Sequence, residues 1–200
     1  MIAIIDYKAG NAPSVLHAVN RLGLNAMLAH TADDLIDKTH IVLPGVGSAK
    51  ATMLSLEEMG LLDVLEDAVH NRRVYFLGIC VGMQVLFERS EEENAVCLGW
   101  LKGDVARYDS SKVRVPQMGW NEVKFQWDAG FKAQDDYFYF VNSYYAKSVD
   151  ADDVWGVTDY NGAFAAAVNK DNMYGMQFHV EKSGEAGLSL LKSVLTNRKE

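Results

Sequence analysis

Across residues 1–80, short apolar runs alternate with stretches of helical spacing, and this alternation constrains the fold more than any other feature. MIAIID reads as a strand, and residues 13–22 as a helix, with Pro13 near its start where the missing N–H does no harm. NAMLAH and HIVLP follow as second and third strands. Between Ala49 and His70 the apolar positions Met53, Leu54, Leu61, Leu62, Leu65 and Val69 suit helices interrupted at Gly60. VYFLGI reads as a fourth strand, and a helix is expected over residues 81–89. Such a rhythm predicts a parallel sheet covered by helices on both faces.

Beyond Cys97 the rhythm changes. NEVKFQW, YFYFVNSYY, VWGVTDY, AFAAAVN and NMYGMQFH are rich in β-branched and aromatic residues, with polar or Gly/Asp turns between them. They predict an antiparallel or mixed extension of the sheet. A last helix carries Leu188, Leu191 and Leu195 on one stripe, with Asn-Arg-Lys-Glu trailing into solvent. The expected class is therefore α/β, an open and mostly parallel sheet flanked by helices with a mixed β extension. No linker or repeat divides the chain, so residues 1–200 read as a single domain.

Charge and composition exclude several function classes. A net charge of −8 without any Lys/Arg cluster argues against a nucleic-acid partner. No apolar run approaches a membrane span, so no membrane association is expected. The start runs directly into a strand without a basic n-region, which does not resemble a signal peptide. Two cysteines make no disulfide framework, and a cytoplasmic setting is expected.

One of those cysteines sits in Gly78-Ile79-Cys80-Val81-Gly82, where a strand turns into a helix. A nucleophile between two glycines at such a junction is the pattern of a nucleophile elbow. The sharp turn lifts the thiol to the carboxyl end of the sheet, where open α/β folds bind ligands. A helix N-terminus there favours thiolate over thiol, and the Val81 N–H is a natural oxyanion donor. Cys97, in AVCLGW, lacks that context and reads as a small buried hydrophobe.

A thiolate nucleophile requires a base and a group that orients the base. Of five histidines, His17 and His70 fall in helices and His30 and His40 at strand edges. His179 ends the strand MYGMQF and precedes Glu181 by two residues. In an extended chain the two side chains share a face, so the carboxylate can reach the imidazole and favour imidazolium. No metal site is expected, because the His and Cys residues show no ligand spacing beyond H-x-E. Leu43-Pro44-Gly45-Val46-Gly47 forms a Gly-rich turn after the third strand, able to present backbone N–H groups or to serve as an ordinary loop.

The elbow GICVGMQ, the turn PGVG and the terminal FHVEKSG together resemble the class I (triad type) glutamine amidotransferases. DYKAGN, VPQMGWNEV and YFVNSYY narrow the likeness to the glutaminase subunits of imidazole glycerol phosphate synthases. The resemblance implies that Cys80 attacks the glutamine side-chain amide to form a thioester, with His179 protonating the departing ammonia and Glu181 orienting it. It implies further that Gly47, Gln84, Glu92 and the backbone around Ser143 and Tyr144 hold glutamine, with the Val46–Gly47 region turning to supply an oxyanion donor. Glu92 suits the α-ammonium of glutamine, although a Glu91-Glu92-Glu93 run is ordinarily a solvated face.

The same resemblance implies no cofactor and a heterodimer with a cyclase subunit of (β/α)₈ barrel fold, which uses the ammonia in histidine biosynthesis. Its docking surface would include Pro116, Gln117, Met118, Trp120, Asn121, Asn142 and Lys182. The chain departs from the family in carrying Gln117 and Asn142 where His is usual, Val180 where Pro is usual, and Lys8 where small residues are common. Alternatives are a paralogue supplying ammonia for surface-polysaccharide sugars, an unrelated cysteine hydrolase and an inactive interaction module.

Overall fold

The computed structural model of the chain describes residues 1–8 and 11–197. Ala9 and Gly10 of DYKAGN lie outside the described residues, as does the Arg198-Lys199-Glu200 tail expected in solvent. The first half is the expected alternation: β1 (Ile2–Ile5), α1 (Ala12–Arg21), β2 (Ala26–Ala29), β3 (His40–Gly45), α2 (Ala49–Glu58), α3 (Leu62–Glu66) and β4 (Tyr75–Cys80). All four residues of β1 and all six of β3 are buried, as a strand covered on both faces requires. Gly60, at φ +65°, breaks α2 from α3. The core stripe of α2 differs from the sequence reading, since Leu54 is exposed while Thr52 and Leu56 are buried.

The helix expected over 81–89 is a single turn, α4 (Val81–Gln84). Its continuation is prevented by competing partners for the backbone. The carbonyls of Val85, Leu86 and Phe87 accept from the N–H groups of Leu98, Leu101 and Gly99, and the Glu88 N–H donates to the Gly103 carbonyl. Long-range pairing thus takes the groups a longer helix would use. The chain then runs through β5 (Arg89–Ser90), β6 (Ala95–Val96), β7 (Asp104–Arg107), β8 (Gln117–Phe125), β9 (Asp136–Asn142), β10 (Tyr144–Lys147), β11 (Val154–Asp159), β12 (Ala163–Lys170) and β13 (Met173–Met176), and ends in α5 (Gly184–Thr196).

The sheet order is β2-β1-β3-β4-β13-β12-β10-β7-β5-β6, with β11, β8 and β9 branching from β12. The strands β2-β1-β3-β4-β13 are parallel. β12, β10 and β7 continue as antiparallel neighbours. This is the expected mostly parallel sheet with a mixed extension. Its decisive step is the insertion of the last strand, β13, beside β4, with Met176 opposite Ile79. That register carries the chain after β13 to the elbow. α5 seals the sheet with Leu188, Leu191 and Leu195 as expected, together with Leu190 and Val194. Among the described residues, no helix is long and apolar enough to cross a membrane.

Candidate active site

Cys80 sits at the end of β4 with φ 56° and ψ −110°, a conformation rare for a residue with a side chain. The flanking glycines make the turn possible. A Cβ on Gly82 would lie 1.8 Å from the Leu43 carbonyl oxygen, and one on Gly78 would lie 2.3 Å from that of Gly82. The elbow is therefore pressed against β3 and against itself, and only hydrogen fits at both positions. Because α4 is one turn long, the helix field expected at the thiol is small. The charge facing the sulfur comes from His179.

His179 follows β13, but it is not in extended chain. It caps a 3-10 turn, Val180–Lys182, with ψ 89°. Within that turn Nδ1 of His179 lies 3.0 Å from Oε1 of Glu181. The expected contact exists, made by a turn rather than by strand alternation. The backbone of His179 is pinned on both sides. Its N–H donates to the Tyr139 carbonyl at 2.9 Å, and its carbonyl accepts from the Ser183 hydroxyl at 2.7 Å. Burial is the largest influence on the imidazole and works against its charge. The hydrogen bonds and charges of Cys80 and Glu181 outweigh it and raise the pKa to about 10. The surroundings of His179 thus favour the imidazolium over the neutral ring.

Cys80, Val46, Gly47, Val81, Gln84, Glu92, Ser143, Tyr144 and His179 line one pocket of about 250 Å³ together with Pro116, Val141 and Asn142. Every residue expected to bind substrate or stabilise an oxyanion therefore lies around the thiol. Glu181 stands behind His179. Glu92 separates from its neighbours because its carboxylate accepts the Ala49 N–H at 2.9 Å at the start of α2, while Glu91 and Glu93 are exposed. Burial raises the Glu92 pKa, against which the Ala49 N–H acts. Gln84 donates to the Tyr144 carbonyl at 3.2 Å and to Gln177 Oε1 at 3.0 Å. Both amide hydrogens are committed to protein, so Gln84 offers a ligand its carbonyl oxygen, an acceptor suited to an ammonium group.

The glycine-rich turn carries Gly47 at φ +98°, in open space, and an exposed Val46. The Val46 N–H lies within hydrogen-bonding reach of the Tyr7 hydroxyl, whose pKa is raised mainly by burial. Tyr7 in turn lies 3.3 Å from Thr52 Oγ1. Cys97 is buried and its pKa is pushed up to about 11 by that burial, in keeping with an inert side chain.

The expected docking residues divide. Met118 is 63% and Trp120 56% exposed, on the same face of β8, and Lys182 is exposed beside the catalytic turn. Pro116 and Asn121 are half-buried, and Asn121 donates to the Asp159 carbonyl at 2.7 Å. Gln117 and Asn142 are buried, 3% and 5% exposed, and so are not surface residues. The Tyr108 hydroxyl joins them, donating to Gln117 Oε1 at 3.1 Å and accepting from Asn142 Nδ2 at 3.2 Å. Strand alternation explains the difference, because Gln117 and Met118 point to opposite faces of β8.

Sequence reasoning missed three participants. Asn11 donates to Glu181 Oε1 at 2.7 Å, Gln177 Nε2 lies 3.7 Å from Cys80 Sγ, and Tyr108 links Gln117 to Asn142. Gln177 carried a signal, being a polar residue inside the apolar run before His179. Asn11 and Tyr108 carried none that spacing could reveal. Among the described residues, no group of three or more His, Cys, Asp or Glu side chains is placed to hold a metal ion.

A strained cysteine elbow facing a His–Glu pair across a parallel sheet defines a class of amide-processing protein. The chain belongs to the class-I glutamine amidotransferase family, whose model matches residues 3–197. Its fold superposes on a solved glutamine amidotransferase with a TM-score of 0.79 at 17% identity, over 97% of both chains. Within the family, the chain is 40% identical over 200 residues to the imidazole glycerol phosphate synthase subunit HisH of Leptospira interrogans, covering 96% of this chain and 98% of that one. It is 41% identical over 198 residues to the subunit HisH 2 of Pseudomonas aeruginosa, with the same coverage. Membership of this family removes the unrelated cysteine hydrolase from the alternatives.

Proposed function

We infer that the chain is the glutaminase subunit of an imidazole glycerol phosphate synthase, hydrolysing glutamine and passing ammonia to a cyclase subunit in histidine biosynthesis. The observation that carries this reading is the meeting of Cys80 and His179 at one pocket, with Glu181 bonded to the imidazole behind it, in a chain that matches such subunits almost end to end.

The geometry supports a two-stage mechanism. The Cys80 thiolate attacks the side-chain carbonyl carbon of glutamine, and the negative charge moves to the carbonyl oxygen. The N–H of Val81, one of the first amides of α4 and without an intrahelical acceptor, stabilises that oxygen, joined by an amide of the Val46–Gly47 turn once it rotates. The His179 imidazolium donates a proton to the departing nitrogen, releasing ammonia and leaving a thioester. Neutral His179 then takes a proton from water, which attacks the thioester and releases glutamate. Glu181 holds the ring orientation throughout. Glu92 and the Gln84 carbonyl bind the α-ammonium of glutamine. Met118 and Trp120, beside the pocket residues Pro116 and Val141, form an apolar docking patch for the cyclase, a (β/α)₈ barrel.

Glutamate release is measured with and without the cyclase subunit of the same organism loaded with its nucleotide substrate, with Cys80→Ala as the blank. Stimulation that disappears in the variant is expected. Activity indifferent to that cyclase would transfer the same chemistry to a paralogous pathway, and no release under any condition would overturn the glutaminase reading.

A further inference from the structure

We propose that Gln177 is a catalytic residue in its own right: its side-chain amide donates to the Cys80 sulfur and stabilises the thiolate, while its carbonyl fixes Gln84. The inference rests on the reading of Cys80 as the nucleophile and adds to it the group that prepares the sulfur.

The orientation of the Gln177 amide follows from a chain of obligatory partners. The Tyr144 carbonyl can only accept, so the end of Gln84 that meets it at 3.2 Å is the nitrogen. That same nitrogen lies 3.0 Å from one end of the Gln177 amide, which must be its oxygen. The nitrogen of Gln177 is thereby turned toward Sγ of Cys80 at 3.7 Å, a separation suited to the larger radius of sulfur. A flipped Gln177 would set nitrogen against nitrogen at Gln84 and leave no donor for the sulfur.

Position and burial strengthen the contact. Gln177 is 0% exposed, so water does not compete for its hydrogens. Its backbone N–H is tied to the Ala166 carbonyl at 2.8 Å, and the register of β13 with β4 sets it beside the elbow. Besides His179, the sulfur has two partners of opposite character. As a thiol it can donate to the Val141 carbonyl at 3.9 Å, and as a thiolate it can only accept, with Gln177 as a donor beside the imidazolium. A neutral amide favours the charged form without titrating itself, and it acts beside the imidazolium of His179. Through Gln84, the same side chain couples the state of the sulfur to the residue that faces substrate.

The test is iodoacetamide alkylation of Cys80 in the full chain as a function of pH, read by mass spectrometry on the Cys80 peptide so that Cys97 does not enter. Wild type is compared with Gln177→Met, which keeps the length and removes the donor, and with Gln177→Glu, which replaces it with an acceptor. Removing a hydrogen bond to a charged group is expected to move the pH midpoint of alkylation upward by about one unit. The Glu variant is expected to shift it further. Folding of each variant is checked by circular dichroism. A midpoint unmoved in a folded variant would overturn the proposal, because a purely structural plug would change stability without changing the titration. A third readout needs no substitution at Gln177. Its side-chain ¹⁵N–H₂ resonances are expected to follow the Cys80 titration in wild type and to lose that dependence in Cys80→Ala, and their indifference in wild type would also overturn it. Shifted alkylation in the variants together with absent glutamate release by wild type would uphold the role of Gln177 and sink the glutaminase assignment instead.

Discussion

The side-chain amide of Asn11 donates to Oε1 of Glu181 over 2.7 Å, the same oxygen that lies 3.0 Å from Nδ1 of His179. Asn11 precedes α1 in the capping position, where asparagine ordinarily binds a backbone N–H of the first turn, yet it makes no such cap. The side chain is spent on the catalytic turn instead, and the start of the chain is thereby bonded to its end.

Asn11→Ala should therefore behave as a site variant rather than a helix variant. Loss of a hydrogen bond to a carboxylate is expected to lower kcat for glutamate release about tenfold with KM little changed. The thermal midpoint should fall only by the few degrees that one lost hydrogen bond accounts for, since no cap is lost as well. A large fall in thermal stability with kcat intact would contradict this account.

The backbone at Cys80 stores strain that alanine would keep and glycine would release. Cys80→Gly is expected to be more stable than Cys80→Ala by about 1 kcal/mol in urea unfolding, both being inactive. Equal stabilities would show that the elbow is relaxed. Gly82→Ala is the opposite case. Its Cβ would meet backbone at 1.8 Å, and a loss of about 3 kcal/mol or more is expected.

The pKa of His179 lies at about 10, above the ordinary 6.5, so the folded state binds the proton more tightly than the unfolded one. This contribution to stability is complete below about pH 6.5 and is lost as pH rises toward 10. Glu181→Gln removes one of the influences that raise the pKa. Its unfolding free energy is expected to fall less steeply between those limits than that of wild type. Cys80→Ala removes another, and an NMR titration of the imidazole should place His179 lower in that variant. An unchanged His179 titration in both would show that neither partner raises the pKa of the ring.

Met118 and Trp120 are large apolar side chains on the solvent face of β8, with the Trp120 ring 5.9 Å from that of Tyr139. Trp120→Ala is expected to weaken binding of the cyclase subunit by about thirtyfold or more in calorimetry, while glutaminase chemistry of the isolated chain and its fold persist. Undiminished affinity would move the docking surface elsewhere.

Local signals carried much of this. Apolar runs of strand length separated by helical spacing marked β1 to β4, and the two glycines around Cys80 marked the elbow, because a backbone that approaches itself so closely tolerates no Cβ. His179 and Glu181 were legible as a pair, though the reason was a turn and not the alternation of a strand. Gln117 was expected at the docking surface, but the alternation of β8 turns it inward beside Met118, and the Tyr108 hydroxyl that joins it to Asn142 is a partner that no spacing rule connects to them. The helix expected after Cys80 stopped at Gln84 because segment 98–103 supplies the partners its backbone would have used.

The sequence by itself thus determined the class of sheet, the elbow and the chemical types at the site, since these depend on periodicity and on the space a side chain occupies near its own backbone. Tertiary structure decided which groups act together. Placing β13 beside β4 brings Gln177 and His179 to the sulfur, and Asn11 reaches Glu181 across 170 residues of chain. Hydrogen-bond partners that far apart are chosen by the closing of the sheet, where each buried polar group must find whichever partner the packing delivers.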